Sequence, residues 1–303
     1  MVGLGIMGSA MAASLMAAGF RVVGFDLLER RRREHRRAGG EAARSARDVG
    51  RRSAIVICSL PEPEALLAVA GDLAAASPPP QIVIETSTLP IAVKQQARRL
   101  LRARGTMLLD CPLSGTGAQA RAKDLVVYAS GERAACRRIA PVLEGFSRAQ
   151  YYVGPFGAGS RTKFVANLLV AIHNVAAAEG LVLAKKAGLD PALTLKVIAD
   201  GAGSSRMLQV RGPMMVRGDY SQPTMKLDVW QKDMTIIADF AREIGCPTPL
   251  FAATAPLYLA ALAMRSGDED TAAVHRVLER MARTSGRSGK VEKWKSKLKS
   301  TTR

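Results

Sequence analysis

The stretch Gly3-Leu4-Gly5-Ile6-Met7-Gly8 decides the fold, because its glycines follow the spacing GxGxxG. The apolar segment that follows it, SAMAASLMAAG from Ser9 to Gly19, predicts a helix. The next segment, RVVGF from Arg21 to Phe25, predicts a strand, and Asp26 stands at its end. GxGxxG alone is weak evidence, but a glycine turn, a helix, a strand and a terminal acid in this order predict a β-α-β unit.

Such a unit is suited to bind a dinucleotide. Glycines permit a tight turn and a close approach of the backbone to a pyrophosphate, which binds at the helix N-terminus. Asp26 lies eighteen residues after Gly8, near the usual position of an acid that binds a ribose 2′-hydroxyl. An acid repels a 2′-phosphate, so NAD is favoured, with NADP possible if one of Arg30 to Arg33 accepts the phosphate. Only Met1 and Val2 precede Gly3, so the first strand is abbreviated or begins upstream.

Short β-like segments alternate with helical ones through the first half of the chain. Strands are expected at 21–25, 54–59, 81–85, 106–110, 125–130 and 149–153, with helices at 9–18, 29–37, 64–70, 91–104 and 132–143. From about Ser160 only helices are expected, at 160–187, 191–199, 205–215, 225–244, 249–263 and 270–282. This pattern predicts an α/β domain with a mostly parallel sheet, residues 1–157, and an all-helical domain, residues 158–282.

The net charge of +18 raises the question of nucleic-acid binding. Two segments carry most of it: 283–303 has eight Lys or Arg and one Glu, and 21–52 has eleven Arg and five acidic residues. Residues 283–303 include few apolar side chains, so we expect a basic disordered tail. We expect the arginines of 30–37 on a solvated helix surface. Nucleic-acid binding is therefore not expected as the main role.

Four widely spaced cysteines without a CxxC pair indicate reduced thiols in a cytoplasmic protein. With only three histidines in the chain, no metal site is expected. The apolar start has no basic region before it and is interpreted as part of the fold, not as a signal peptide. No uncharged apolar run reaches 18 residues, so no membrane span is expected.

The segment from Gly159 to Val175 predicts a long apolar helix, yet Lys163, Asn167 and Asn174 interrupt it. Residues at these spacings share one helix face, so the three side chains form a polar stripe. An unpaired ammonium is costly in such a place. Lys163 is therefore a candidate functional residue, the alternative being a lysine whose stem only covers apolar surface.

Four motifs, in order along nearly the whole chain, resemble those of a known family. They are GLGIMG at 3–8, Asp110-Cys111-Pro112-Leu113-Ser114-Gly115 (similar to D-x-P-x-S-G-G), Gly157-Ala158-Gly159 with Lys163 and Asn167 (similar to G-x-G-x-x-x-K-x-x-x-N), and Lys232-Asp233. The chain resembles a β-hydroxyacid dehydrogenase of the 3-hydroxyisobutyrate dehydrogenase type. The resemblance implies a Rossmann-type doubly wound parallel sheet joined by a long helix to a second, all-helical domain, with an active site in the cleft between them.

The resemblance also implies the roles of individual residues. Lys163 would be the catalytic general acid and base, and Asn167 would orient the substrate. A substrate carboxylate would bind at Ser114, Gly115 and Thr116. The cofactor site would comprise Gly3, Gly5, Ile6, Met7, Gly8, Asp26, Leu60, Pro61, Thr88 and Lys232. Thr116 stands where the family usually has a second glycine, so the shape of the carboxylate pocket is left open.

The chemistry of Lys163 agrees with this assignment. Oxidising an alcohol with NAD requires a base for the hydroxyl proton while hydride leaves the carbon. A free lysine is protonated near neutral pH, and burial or a neighbouring cation such as Lys232 favours the neutral amine. Asn167, one turn further on, has both a donor and an acceptor for the substrate hydroxyl.

We therefore expect an oxidoreductase that transfers hydride between NAD and a small β-hydroxy acid, either 3-hydroxyisobutyrate-like or a sugar acid such as threonate. The alternatives are an NADPH-dependent semialdehyde or imine reductase of related fold, a 6-phosphogluconate dehydrogenase-like enzyme, and a non-catalytic cofactor-binding protein. Imine reductases usually lack the lysine, which argues against that alternative. The many apolar helices of the second domain favour a homodimer or homotetramer.

Overall fold

The structure is a computed structural model, and it describes residues 1–284. The described residues divide into two compact units, Met1–Ala166 and a second one that begins at Asn167. The division falls inside a long helix, whereas the sequence suggested a boundary between residues 157 and 158. Of the expected disordered tail, 283–303, the part from residue 285 onward lies outside the described residues.

The N-terminal unit contains a parallel-rich sheet. Its strands are β1 (Val23–Gly24), β2 (Glu41–Ala42), β3 (Ile55–Cys58), β4 (Ile82–Glu85), β5 (Met107–Asp110), β6 (Leu113–Ser114), β7 (Val126–Ser130) and β8 (Ala149–Gly154). Strands β3, β4 and β5 are parallel neighbours, β7 runs antiparallel to β5 and β6, and β8 is parallel to β7. Val2 bridges Phe25 and Cys58, so the first strand is reduced to one bridging residue beside the parallel pair β1–β2.

Helices follow most of the strands of this unit. They are α1 (Ile6–Ala17), α2 (Glu29–Arg37), α3 (Ala46–Arg52), α4 (Pro63–Ala74), α5 (Ile91–Arg102), α6 (Gly117–Arg121), α7 (Arg133–Arg138) and α8 (Ala140–Phe146). The short helices α3 and α6 and the two-residue strands β2 and β6 were not predicted from the sequence. The single helix expected at 132–143 is two helices, because Pro141 has no N–H to continue the first and is favoured in the first turn of the second.

Successive side chains of one strand point to opposite faces of the sheet and pack in different apolar cores, as expected for a sheet that is covered on both faces. In β3, Ile57 packs with Met11 of α1, while Val56 packs with residues of α3 to α5. In β4, Ile82 and Ile84 belong to the first core and Val83 to the second. The doubly wound Rossmann-type arrangement is therefore confirmed.

The second unit is helical over its described residues. It comprises most of α9 (Ala158–Lys186), then α10 (Pro191–Ala199), α11 (Arg206–Arg217), α12 (Leu227–Glu243), α13 (Pro249–Ala263), a 3-10 turn (Thr271–Ala273) and α14 (Val274–Met281). Asp270 is a buried hub whose carboxylate accepts hydrogen bonds from Arg211 Nε at 3.0 Å, Thr224 Oγ1 at 2.7 Å and Ala272 N at 2.9 Å. The aromatic rings of Trp230 and Tyr258 meet edge to face at 6.2 Å.

Helix α9 is the one helix within residues 1–284 that is long and apolar enough to cross a membrane by length and composition. Its most apolar window is 44% buried in the protein. Asn174 on this helix is fully buried, and its amide Nδ2 bonds Tyr258 Oη and Thr271 O, both at 3.0 Å. We interpret α9 as a core helix because its buried face carries polar groups with partners inside the second unit.

Candidate active site

The glycine loop leaves the start of α1 open to an anion. A Cβ on Gly3 would lie 2.1 Å from Ser59 O, and one on Gly8 would lie 1.9 Å from Gly3 O, so both positions require glycine. Gly5 precedes the first residue of α1, where no side chain caps the helix and the first turn holds no acidic residue. The free N–H groups of that turn are those that bind a pyrophosphate. The residues present therefore fit a dinucleotide.

Asp26 lies just after β1, and the protein itself bonds its carboxylate on three sides. Oδ2 accepts the Leu4 N–H at 2.8 Å and lies 3.2 Å from Arg31 Nη1, and Oδ1 accepts the Leu28 N–H at 2.9 Å. Arg31 Nη1 is also 3.7 Å from the Cβ position of Gly5. The expectation that this arginine lies on solvated helix surface holds only in part: its side chain is 36% exposed, but its guanidinium is bonded to Asp26 beside the glycine loop.

Leu60 follows β3 and lies beside the glycine loop. Its Cδ2 is 3.5 Å from the Cβ position of Gly3, and its N–H donates to Ser87 Oγ at 2.8 Å. Thr88, half-buried, follows Ser87 directly after β4, whereas Pro61 is exposed. The structure thus brings two of the predicted cofactor segments to the carboxyl edge of adjacent parallel strands, where ligands bind in such sheets.

Ser114 ends β6, and the turn after it approaches the glycine loop. Gly115 has φ +138°, and a Cβ there would lie 2.7 Å from Leu125 Cδ2. A Cβ on Gly117 would lie 2.5 Å from Ile6 Cγ2. The predicted substrate segment and the glycine loop are therefore neighbours within the N-terminal unit.

Thr116 differs from its expected role in one respect. Its backbone N–H, which the sequence assigned to a substrate carboxylate, donates to Gln119 Oε1 at 3.0 Å, and its Oγ1 accepts the Gln119 N–H at 3.4 Å. This reciprocal capping box starts α6. Among the three predicted carboxylate-binding residues, Thr116 already uses its N–H, which leaves Ser114 and Gly115 as the better candidates.

The start of α9 is seated on the sheet by Gly159. A Cβ at this position would lie 2.6 Å from both Asp110 O and Tyr128 O, so only glycine permits the approach. The Gly159 N–H donates to Ser130 Oγ at 2.9 Å. This contact gives the second glycine of the G-x-G-x-x-x-K-x-x-x-N motif a physical role: it seats the helix turn that precedes Lys163 on strands β5 and β7.

Lys163 and Asn167 occupy one face of α9, one turn apart. Lys163 is half-buried and Asn167 is buried. The Asn167 amide Nδ2 donates to Asp233 Oδ2 at 2.8 Å. Because an ionised carboxylate only accepts hydrogen bonds, this contact fixes which way the Asn167 amide points. Lys232 Nζ lies 3.8 Å from Asp233 Oδ1, so Asp233 joins two of the predicted site residues in the second unit.

From the sequence, Asp233 is only the partner of Lys232 in a motif, without a role of its own. A signal was present, because 233 falls on the same helical face as the buried residues Trp230, Ile237 and Ala241. An acid on a buried face requires a polar partner. The polar stripe also contained one structural member: Asn174 bonds only to groups of its own unit among its described contacts.

Comparison with known proteins agrees with this geometry. The family described as the NAD binding domain of 6-phosphogluconate dehydrogenase matches residues 1–154. The family described as NAD-binding of NADP-dependent 3-hydroxyisobutyrate dehydrogenase matches residues 157–278.

Individual relatives cover almost the whole chain. L-threonate dehydrogenase of Cupriavidus necator is 34% identical over 280 residues, 91% of this chain and 94% of the relative. The structure of Mycobacterium tuberculosis 3-hydroxyisobutyrate dehydrogenase with L-serine matches with a TM-score of 0.84 and 30% identity, covering 91% of this chain and 97% of that one. An imine reductase from Pseudomonas sp. matches at 18% identity and a TM-score of 0.61 over 91% and 97% of the two chains, which shows a common fold alone.

These matches cover both units and confirm the resemblance that the four motifs indicated. They also agree with a glycine loop whose geometry fits a dinucleotide. The chain belongs to the β-hydroxyacid dehydrogenase family and is an NAD(P)-dependent oxidoreductase that acts on CH–OH groups.

Proposed function

We propose that this enzyme oxidises a small hydroxy acid with NAD and that Lys163 is its general base. The observation that carries the proposal is the pairing on α9 of a half-buried lysine with a buried asparagine one turn later, whose amide Asp233 fixes. A snorkelling lysine on a surface helix would not require such a neighbour.

The proposed reaction divides its work among residues of this chain. The substrate loses hydride from its carbinol carbon and a proton from its hydroxyl, and Lys163 Nζ accepts that proton. Asn167 holds the hydroxyl with the part of its amide that Asp233 does not use. In the reverse direction Lys163 returns the proton to the alkoxide. The nicotinamide ring, when bound, supplies the hydride acceptor.

A carboxylate of the substrate is proposed to bind at Ser114 and Gly115. The Ser114 hydroxyl and the backbone N–H groups beside it are hydrogen-bond donors that suit an anion. The positive φ of Gly115 turns the chain after β6 in a way that few other residues permit. Thr116 supports this turn through its capping box, which is a role different from direct contact.

We propose NAD as the preferred cofactor and NADP as a tolerated one. Glycines 3, 5 and 8 fit the pyrophosphate, and Asp26 faces the same loop through its bond to Leu4. Arg31, drawn to this loop by Asp26, offers a donor to a 2′-phosphate. Ile6, Met7, Leu60, Pro61, Thr88 and Lys232 are proposed to complete the cofactor site.

Among hydroxy acids we propose a sugar acid of the threonate type as the first substrate to test. The 34% identity to an L-threonate dehydrogenase over most of both chains supports this choice. A branched C4 acid such as 3-hydroxyisobutyrate is the next, supported by the TM-score of 0.84 to a 3-hydroxyisobutyrate dehydrogenase.

We further propose a homo-oligomer, either a dimer or a tetramer, that acts in the cytoplasm. Within the described chain, α10 buries none of its residues, although Leu193 and Val197 on it are apolar. The cysteines are all unpaired, which supports a reducing compartment. A monomer in light scattering would contradict the oligomer.

The proposal is tested by mixing purified protein with NAD or NADP and a panel of 3-hydroxy acids and sugar acids, while following the absorbance of the reduced nicotinamide. We expect turnover with at least one hydroxy acid and its loss in Lys163→Ala. Lys185→Ala is a matched control, because it removes an exposed lysine charge from the other end of the same helix. Equal rates in Lys163→Ala and wild type would contradict the role of Lys163, and the absence of turnover with every acid would contradict the proposed substrate class.

A further inference from the structure

Lys94 of α5 is fully buried between two fully buried carboxylates. Its Nζ lies 2.6 Å from Glu85 Oε2 and 2.8 Å from Asp110 Oδ1, and all three side chains have 0% exposure. We call these three residues the buried triad. Its charges do not cancel, since two carboxylates face one ammonium. Buried ion pairs are often no more stabilising than apolar packing, so stability alone does not account for the triad.

One member of the buried triad, Asp110, holds the start of α9. Asp110 Oδ2 accepts the Ser160 N–H at 2.8 Å, and Asp110 Oδ1 accepts the Ser160 hydroxyl at 2.9 Å. Ser130 Oγ donates to Asp110 O at 2.8 Å and accepts the Gly159 N–H at 2.9 Å. A carboxylate from β5 thus caps the first turn of the helix that carries Lys163 one turn later.

The other two members, Lys94 and Glu85, hold the two predicted cofactor segments through Ser87. Lys94 Nζ donates to Ser87 O at 2.7 Å, and Glu85 Oε1 accepts the Ser87 N–H at 2.8 Å. Ser87 Oγ in turn accepts the Leu60 N–H at 2.8 Å. Lys94 Nζ thus donates hydrogen bonds to Asp110 Oδ1 and Ser87 O and forms an ion pair with Glu85 Oε2.

We propose that the buried triad of Glu85, Lys94 and Asp110 is a positioning device that fixes the helix start bearing Lys163 relative to the segments at Leu60 and Thr88. Its members touch neither substrate nor cofactor and act through the backbone they hold. The inference rests on the proposed function of Lys163. Asp110 is also the first residue of the motif that leads to Ser114, so one carboxylate links the substrate turn to the catalytic helix.

The chemistry of the contacts explains why apolar side chains would not serve. The first turn of a helix presents N–H donors that only an acceptor satisfies. Asp110 uses both oxygens on Ser160 while Lys94 shares one of them. Without the ammonium, two buried carboxylates would face each other with no cation between them, and an uncompensated buried charge is strongly destabilising.

The first test replaces Asp110→Asn, with Asp270→Asn as the matched control in the second unit. Both residues are fully buried carboxylates bonded to a cation, but Asp270 holds none of the predicted site residues. We expect Asp110→Asn to lower kcat at least tenfold, with KM for the hydroxy acid changed less than threefold and NAD binding retained. We expect Asp270→Asn to lower the melting temperature while kcat of the folded enzyme stays within twofold.

The second readout does not depend on turnover. Hydrogen exchange of the amides in 157–164 is expected to speed up at least tenfold in Asp110→Asn and to remain unchanged in Asp270→Asn. Unchanged exchange and unchanged kcat in a folded Asp110→Asn protein would overturn the inference. If wild type oxidises no hydroxy acid, the proposed function fails, and the exchange measurement still decides whether the buried triad anchors α9.

A milder variant covers the case in which Asp110→Asn does not fold. Ser160→Ala removes only the hydroxyl bond to Asp110 and keeps the backbone N–H. Its control is Ser147→Ala, because Ser147 is also buried but donates to Leu143 O at the end of an ordinary helix. We expect kcat to fall threefold to tenfold in Ser160→Ala and less than twofold in Ser147→Ala. Equal kcat in the two variants would leave the buried triad with a structural role only and overturn the inference.

Discussion

Each unit of this protein buries a carboxylate at a junction of chain segments, but the two carboxylates bond different segments of the chain. Asp110, in the N-terminal unit, bonds Lys94, Ser130 and Ser160, and through them the start of the helix that carries Lys163. Asp270, in the second unit, bonds Arg211 and the segment at Thr224. A buried carboxylate therefore holds the start of the helix that carries Lys163 in one unit, and a buried carboxylate joins helix α11 to the segments at Thr224 and Ala272 in the other.

The comparison predicts opposite pH sensitivity in the two units. Burial raises the pKa of Asp270, but the Arg211 guanidinium and hydrogen bonds from Ala272 and Thr224 outweigh it, so its pKa lies below the usual range. A lowered acid pKa contributes stability above the unfolded pKa, about 3.9, that is lost as pH falls below it. Breaking such a buried pair costs about 3–5 kcal/mol of unfolding free energy, and this is the largest effect that we expect.

For the N-terminal unit, the shifted pKa of Lys94 predicts a loss of stability at high pH instead of low pH. Burial lowers its pKa, but Asp110 and Glu85 outweigh burial and hold the pKa above the usual lysine range. Its stabilisation is complete below the unfolded pKa, about 10.4, and is lost only as pH rises above that value. Hydrogen exchange of peptides from each unit between pH 3 and 11 checks both directions, with Asp270→Asn expected to flatten the acid side. Simultaneous loss of both units at the same acidic pH in wild type and Asp270→Asn would contradict the contrast.

A substitution at Asp233 tests whether this residue of the second unit contributes to turnover. Asp233→Ala removes the acceptor that orients Asn167, and we expect kcat/KM for the hydroxy acid to fall about 10-fold to 100-fold, or roughly 1.4–2.7 kcal/mol. Asp233→Asn, which keeps an acceptor oxygen for Asn167, should recover most of the loss. Asp239→Ala is the control, because Asp239 is an exposed acid on the same helix. A loss in Asp239→Ala equal to that in Asp233→Ala would point to a general effect of charge.

A substitution at Arg31 is expected to give the smallest effect, and it tests the choice between NAD and NADP at the glycine loop. Because its guanidinium lies at the glycine loop, Arg31→Leu should lower kcat/KM with NADP about tenfold and with NAD less than threefold. A hydrogen bond to a charged group is worth about 1.5–3 kcal/mol, and only NADP has the 2′-phosphate to receive it. Arg30→Leu, which removes an exposed arginine paired with Glu34, is the control. Equal losses with both cofactors would show that Arg31 only supports Asp26.

Much of the fold was predictable because its signals are local. The GxGxxG turn, the apolar helix after it and the later helix-only pattern each occupy a continuous segment. Strands β2 and β6 have two residues each and are too short to show an alternating pattern. Helix α6 did carry a signal, since Thr116 and Gln119 have the spacing of a capping box, and that signal was missed.

The predicted site residues were found by motif, and the residues that support them were not. Lys94 lies on a helix with arginines and looks like a surface lysine, because its partners come from two strands that are distant in sequence. The orientation of Asn167 likewise depends on Asp233, which is 66 residues away. Local patterns do not carry such pairings, so the supporting contacts emerge only from the folded chain.

The central claim is that Lys163 takes the hydroxyl proton of the substrate, and amine rescue of Lys163→Ala tests it most directly. The variant and wild type are assayed with NAD and the best hydroxy acid while methylamine is raised from zero to high millimolar concentration. The account predicts a loss of about 100-fold or more in Lys163→Ala, NAD binding close to that of wild type, and turnover that rises with the concentration of free amine. Wild-type rates in Lys163→Ala without amine, or a complete loss that amine does not relieve although NAD and substrate still bind, would contradict it.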